Sequence, residues 1–147
     1  LVKILGKALS PIMKRLFKDI PEDHPAMGAM VMNISANMLG LGNAATPLGL
    51  KAMKELDSLN EHKGIATDSM IMFMALNDGC VALIPATIIG LRVAAGSSNP
   101  TEGIGPILLS TSVTVVSAVI LTKLFAKRKK YRVENYIKKD EANIDNI

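Results

Sequence analysis

The 147-residue chain is 49% hydrophobic yet only 3% aromatic, and its 17 basic and 13 acidic residues give a net charge of +4 and a pI near 9.3. That length suits one domain or part of one, and so few rings leave little surface for stacking bases, so no nucleic-acid partner is expected despite the basic balance. The single cysteine, Cys80, excludes an internal disulfide; with His24 and His62 it has no spacing that suits structural zinc, and no metal or cofactor is expected.

Leu1 falls in mid-pattern with no signal-peptide layout, so the chain reads as a piece of something longer. Over residues 1–18, Leu1, Ile4, Leu5, Ala8, Leu9, Ile12, Met13 and Leu16 recur at helical spacing while Lys3, Lys7, Lys14 and Lys18 gather on the other side. This predicts a basic amphipathic helix, kinked at Pro11, that lies in the headgroup region or packs on upstream segments. Residues 19–25 then punctuate the chain, with His24 in a solvated or capping role and Pro25 as a favourable first helical residue.

Three apolar runs follow. Residues 26–50 carry no charge, residues 69–91 carry only Asp78, and residues 103–122 carry none. Each meets the length of about 20 residues that a helix needs to cross a hydrocarbon core. The fold class this predicts is an all-α integral membrane protein of transmembrane and interrupted or re-entrant helices, preceded by the amphipathic interfacial helix. Residues 1–122 form its membrane-embedded domain and residues 123–147 a basic, then polar, cytoplasmic tail. Lys123, Lys127, Arg128, Lys129, Lys130 and Arg132 directly follow the third run, which by the positive-inside rule puts the C-terminus in the cytoplasm of a multi-pass protein of the bacterial inner membrane. Five further basic residues precede the first run, so both ends read as cytoplasmic and one of the first two runs is expected to re-enter. Basic-residue counting favours the first run for this, and arm length the second.

The first two runs are interrupted by polar and glycine residues. Asn33, Ser35, Asn37, Asn43 and Thr46 lie inside the first, and residues 40–49 read GLGNAATPLG. Glycine-rich backbone at membrane depth must be buried in protein or line a wet cavity. A helix is therefore predicted to stop near Gly40 to Asn43 and to restart at Pro47 with Thr46 as its N-cap, leaving free amides at the break. Asn77, Asp78 and Gly79 interrupt the second run, with Pro85 beyond, and an ionised aspartate at that depth requires a partner, a cation, water or a proton. Paired interrupted segments are the pattern by which transporters bind solute. Asn43, Thr46, Asn77 and Asp78 are the resulting candidates for a solute or ion path, and Gly40, Gly42 and Pro47 shape its backbone. The competing expectation is that small and amide residues only hold helices together. No catalytic constellation is present: Ser69 and Asp78 are too far apart for one helix to join, so an enzyme is not expected. Asn33-Ile34-Ser35 matches a glycosylation acceptor by accident, and the methionines read as packing residues.

The stretches HPAMG at 24–28, NMLGLGNAATPLGLKAM at 37–53 and IPATIIGLR at 84–92 resemble the spore maturation protein A family, a branch of the gate or nucleoside-recognition proteins. The resemblance covers roughly residues 1–130. It implies a membrane protein that works with spore maturation protein B, or a similar membrane partner, in dehydrating the spore core and making spores heat resistant. Some gate-domain relatives transport nucleosides or ferrous iron, which implies a nucleoside or other small polar solute. The gate motif falls on Gly40, Gly42, Asn43, Thr46 and Pro47, with a second around Asn77 and Pro85; Asp78-Gly79 departs from the family pattern.

Overall fold

The computed structural model describes residues 2–128, with side chains from residue 4 onward. Most of the tail, including Lys129, Lys130 and Arg132, lies outside the described residues. Six helices and no strand occur among those described: α1 (Val2–Leu16), α2 (Pro25–Met38), α3 (Gly42–Ser58), α4 (Asp68–Asp78), α5 (Ala86–Ala94) and α6 (Ile104–Ala126).

The amphipathic helix forms as α1, with Pro11 inside it. Its apolar side is partly taken up by α2: Met13 and, just beyond the helix, Phe17 are almost fully enclosed, and Gly6 admits Val31 so closely that an added Cβ would lie 3.3 Å from its Cγ1. Ile4 and Ile12 remain exposed. Met13, Phe17, Met30, Leu56, Met72 and Phe73 are buried in one cluster that joins α1 to α4 through close packing. α2 packs on α1, α3 and α4, and among the described helices α6 packs chiefly on α4.

Local signals set the helix starts. His24 Nδ1 accepts the Ala26 amide at 3.2 Å ahead of Pro25, and Thr67 Oγ1 accepts the Met70 amide at 3.2 Å to open α4. Thr67→Ala is expected to lower stability by about 1 kcal/mol in thermal unfolding, the usual loss for a removed N-cap, with α4 otherwise intact.

The first two apolar runs do not form continuous rods. α2 ends in a Schellman motif: Gly40 takes φ 70°, its amide donates to Asn37 O, and the Leu41 amide donates to Ala36 O. The chain restarts at once, because Leu41 O accepts the amides of both Ala44 and Ala45 at 2.9 Å. This corrects the expected restart at Pro47. Pro47 sits inside α3 and Thr46 is no cap; its hydroxyl donates to Gly42 O at 3.2 Å. A proline here forfeits only its bond to the Asn43 carbonyl, a loss confined to an exposed stretch, so it does not delay the helix. α3 then runs on into the charged residues 51–57. The second interruption is also displaced: Asn77 and Asp78 are the last residues of α4, and the break spans residues 79–85. Gly79 lies against α6, where an added Cβ would be 3.3 Å from Thr114 Cγ2, and the Ala82 amide reaches Thr111 Oγ1 at 3.4 Å.

The third run behaves as the sequence predicts. α6 has 23 residues, with a mean hydropathy of 2.1 over an 18-residue stretch of it, and it alone among the described helices is long and apolar enough to cross a membrane.

Candidate functional site

The two breaks pack on each other. After the Schellman bonds, the Met38 carbonyl is the last one at the end of α2 without a helical partner. It accepts the amides of Leu83 and Ile84 at 2.9 and 3.1 Å, so the second break supplies the missing donors. Gly40 lies directly beneath: a Cβ there would overlap the Ile84 carbonyl oxygen and sit 3.1 Å from the Ala86 amide nitrogen.

Beside this junction, α2, α3 and α4 enclose a cleft of about 410 Å³ lined by Asn33, Asn37, Ala45, Thr46, Gly49, Leu50, Met53, Phe73, Met74 and Asn77. Helical spacing produces it. Asn33 and Asn37 are four apart on α2; Ala45, Gly49 and Met53 climb one face of α3; Phe73 and Asn77 are four apart on α4. Among the described residues, no ionisable side chain lines it.

Two hydrogen bonds organise its polar wall. Asn37 Nδ2 donates to Asn77 Oδ1 at 2.7 Å and ties α2 to α4. Asn33 is 1% exposed and its Nδ2 donates to the Ala45 carbonyl at 2.8 Å, reaching α3. That reach depends on Gly49, whose added Cβ would stand 2.9 Å from Asn33 Nδ2. Asn33 Oδ1 is fully enclosed and has no donor among the described residues.

Of the residues singled out in sequence, Thr46 and Asn77 line the cleft, while Gly40 locks the two breaks together. Gly42, Asn43 and Pro47 are exposed at the start of α3, and Asp78 is exposed at the end of α4; none of the four lines the cleft. The amides of Gly42 and Asn43 have no partner among the described residues. Asn33 and Asn37, polar interruptions in the sequence outside the expected site, line the cleft as well. Their separation of four, repeated by Phe73 and Asn77, was the available signal, because it puts both amides on one helix face. The burial of Asn33 also accords with an accidental glycosylation match.

The family model described as Gate, nucleoside recognition, matches residues 1–95, which contain α1 to α5 and both breaks but not α6. Spore maturation protein A of Bacillus subtilis (strain 168) is 45% identical over 130 residues, a span covering 88% of this chain. The chain thus spans 66%, a little under two thirds, of that relative's length. No solved structure matches. With the interlocked breaks and the amide-lined cleft both inside the matched region, the chain belongs to the Gate nucleoside-recognition family.

Proposed function

We propose that this chain is part of a multi-pass inner-membrane protein, not an enzyme, that forms or gates a path for a small solute or ion. The observation that carries this is a largely apolar cleft with one wall of carboxamides, beside two helix breaks that complete each other's hydrogen bonds. Broken helices at bilayer depth are tolerated where backbone is buried or faces a wet cavity, and solute sites are built from them. Likeness to spore maturation protein A supports a role in spore core dehydration and heat resistance, alongside spore maturation protein B or a similar membrane partner. The basic residues following α6 support a cytoplasmic C-terminus.

Water in the cleft is the test. In a Cys80→Ala background, Thr46→Cys and Asn77→Cys in intact cells are expected to react with a small membrane-impermeant maleimide, and Ala52→Cys, fully enclosed between helices, is not. Silence at both cleft positions would sink the path. A second reading has one observation in its favour: the Asn37–Asn77 bond is also how carboxamides hold membrane helices together. If the protein is a scaffold only, Asn77→Ala weakens copurification with the partner and the cleft cysteines stay unlabelled.

A further inference from the structure

We propose that a second, apolar groove between α1 and α6 seats the acyl chain of a phospholipid whose anionic, phosphate-bearing headgroup is held by basic residues where the two helices end. This rests on the membrane reading and not on the path, because the groove and the carboxamide cleft share no residue.

The first ground is shape. No Cα of α1 lies within 8 Å of one in α6, since α1 is held by α2 and α6 by α4. A groove of about 450 Å³ is left between them, floored by residues of α2 and α4. Leu9, Ile12 and Leu16 form one wall, and Val116, Val119 and Ile120 form the other. Ile12, Val116 and Ile120 remain more than half exposed although they line it, so the groove opens outward from the bundle. Apart from the Cys80 thiol, every side chain in the lining is aliphatic or methionine. Such a surface offers a polar solute no hydrogen bond and offers a hydrocarbon chain close packing.

The second ground is charge at one end of the groove. Asp19 and Asp68 line a common cleft, which sets the end of α1 beside the start of α4, and Asp68 and Ala126 line another, which brings the end of α6 to the same place. Val116, Val119, Ile120, Lys123 and Lys127 recur every three or four residues, so the apolar wall of α6 passes into two lysines on the same face. Across the groove, Arg15 follows Ile12 by three positions and Lys18 lies just beyond the helix. Arg15, Lys18, Lys123 and Lys127 are exposed, and none has a carboxylate partner among the described residues; Glu22 is taken by Lys14. Neither Asp19 nor Asp68 lines the groove. Long basic side chains at helix ends reach headgroup level, and basic pockets between membrane helices on the cytoplasmic side bind anionic headgroups. A wholly apolar partner helix would fill the same groove and leave these cations unanswered, so the charge favours the lipid.

The test is photocrosslinking of the full-length protein in dioleoylphosphatidylcholine vesicles that carry a trace of phosphatidylglycerol or of phosphatidylcholine with the same diazirine-bearing acyl chain. Phosphatidylglycerol is expected to label residues 9–16 and 115–120 at least about fivefold more than phosphatidylcholine. Lys123→Gln with Lys127→Gln is expected to remove that preference. Val116→Trp, which fills the groove from an exposed position, is expected to abolish the labelling, and Leu124→Trp, outside the groove, to leave it unchanged. Equal labelling by the two lipids, labelling spread evenly around α6, or no labelling of the groove because a helix covers it each overturns the proposal. Release of the protein from the vesicles by alkaline carbonate would overturn the membrane reading as well, whereas a firmly inserted protein without lipid preference rejects the lipid site alone.

Discussion

Gly40→Ala is expected to destabilise the protein by about 3 kcal/mol or more, a large share of a typical domain's stability. A left-handed residue with a Cβ costs roughly 1–2 kcal/mol by itself, and Gly40 has φ 70°. The added methyl also overlaps the Ile84 carbonyl oxygen, which cannot easily retreat: Ile84 N is held by Met38 O at 3.1 Å, and its own oxygen accepts the Ala86 amide at 2.8 Å. Overpacking of this kind adds about 1–3 kcal/mol. Two residues on, Gly42 is in the first turn of α3 with nothing within 4 Å of an added Cβ. Gly42→Ala is therefore expected to be neutral or to stabilise by up to about 1 kcal/mol. Thermal unfolding of the two variants in one detergent checks the contrast, and equal losses would mean that the breaks are not interlocked.

Gly49→Ala should lower stability, and the same change should raise it once Asn33 is gone. Alanine is better than glycine inside a helix by about 0.8–1 kcal/mol. Against that, the methyl would stand 2.9 Å from Asn33 Nδ2. Asn33 is enclosed and holds the Ala45 carbonyl, so displacing it leaves a buried carboxamide with neither end bonded, at about 1–3 kcal/mol. The clash outweighs the propensity. In an Asn33→Ala background the clash disappears and propensity alone remains, so Gly49→Ala should then stabilise by up to about 1 kcal/mol. A sign that does not reverse in this four-variant cycle would show that Asn33 is not pinned against α3.

Much of the fold was legible because the signals are local. Pro25 and His24 announce α2, an unbroken apolar stretch announces α6, and the 3.6-residue recurrence over residues 4–16 announces α1. The breaks were legible in existence and misplaced in detail. Pro47 was read as a helix start because proline favours a first turn, yet a helix already begun at Gly42 accommodates it by losing one bond. Asn77 was read as part of the second break; α4 retains it, and its bond to Asn37 joins two helices. In the site, Thr46 and Asn77 were identified from sequence, while Asn33 and Asn37 were seen only as polar residues in an apolar run. Their partners lie 12 and 40 residues away, and no spacing rule reaches that far.

The order of residues alone determined where three long apolar runs lie, where charge gathers, and that two glycine-marked interruptions fall inside the first two of them. Each depends on neighbours within a few turns, so hydropathy and backbone preference decide it. Only the tertiary structure decided that the second interruption caps the end of α2, that Gly49 makes room for Asn33, and that four polar side chains from three helices meet in one cleft. Those outcomes come from backbone donors seeking the carbonyls left over at a helix end, and from side chains approaching as near as a missing Cβ allows.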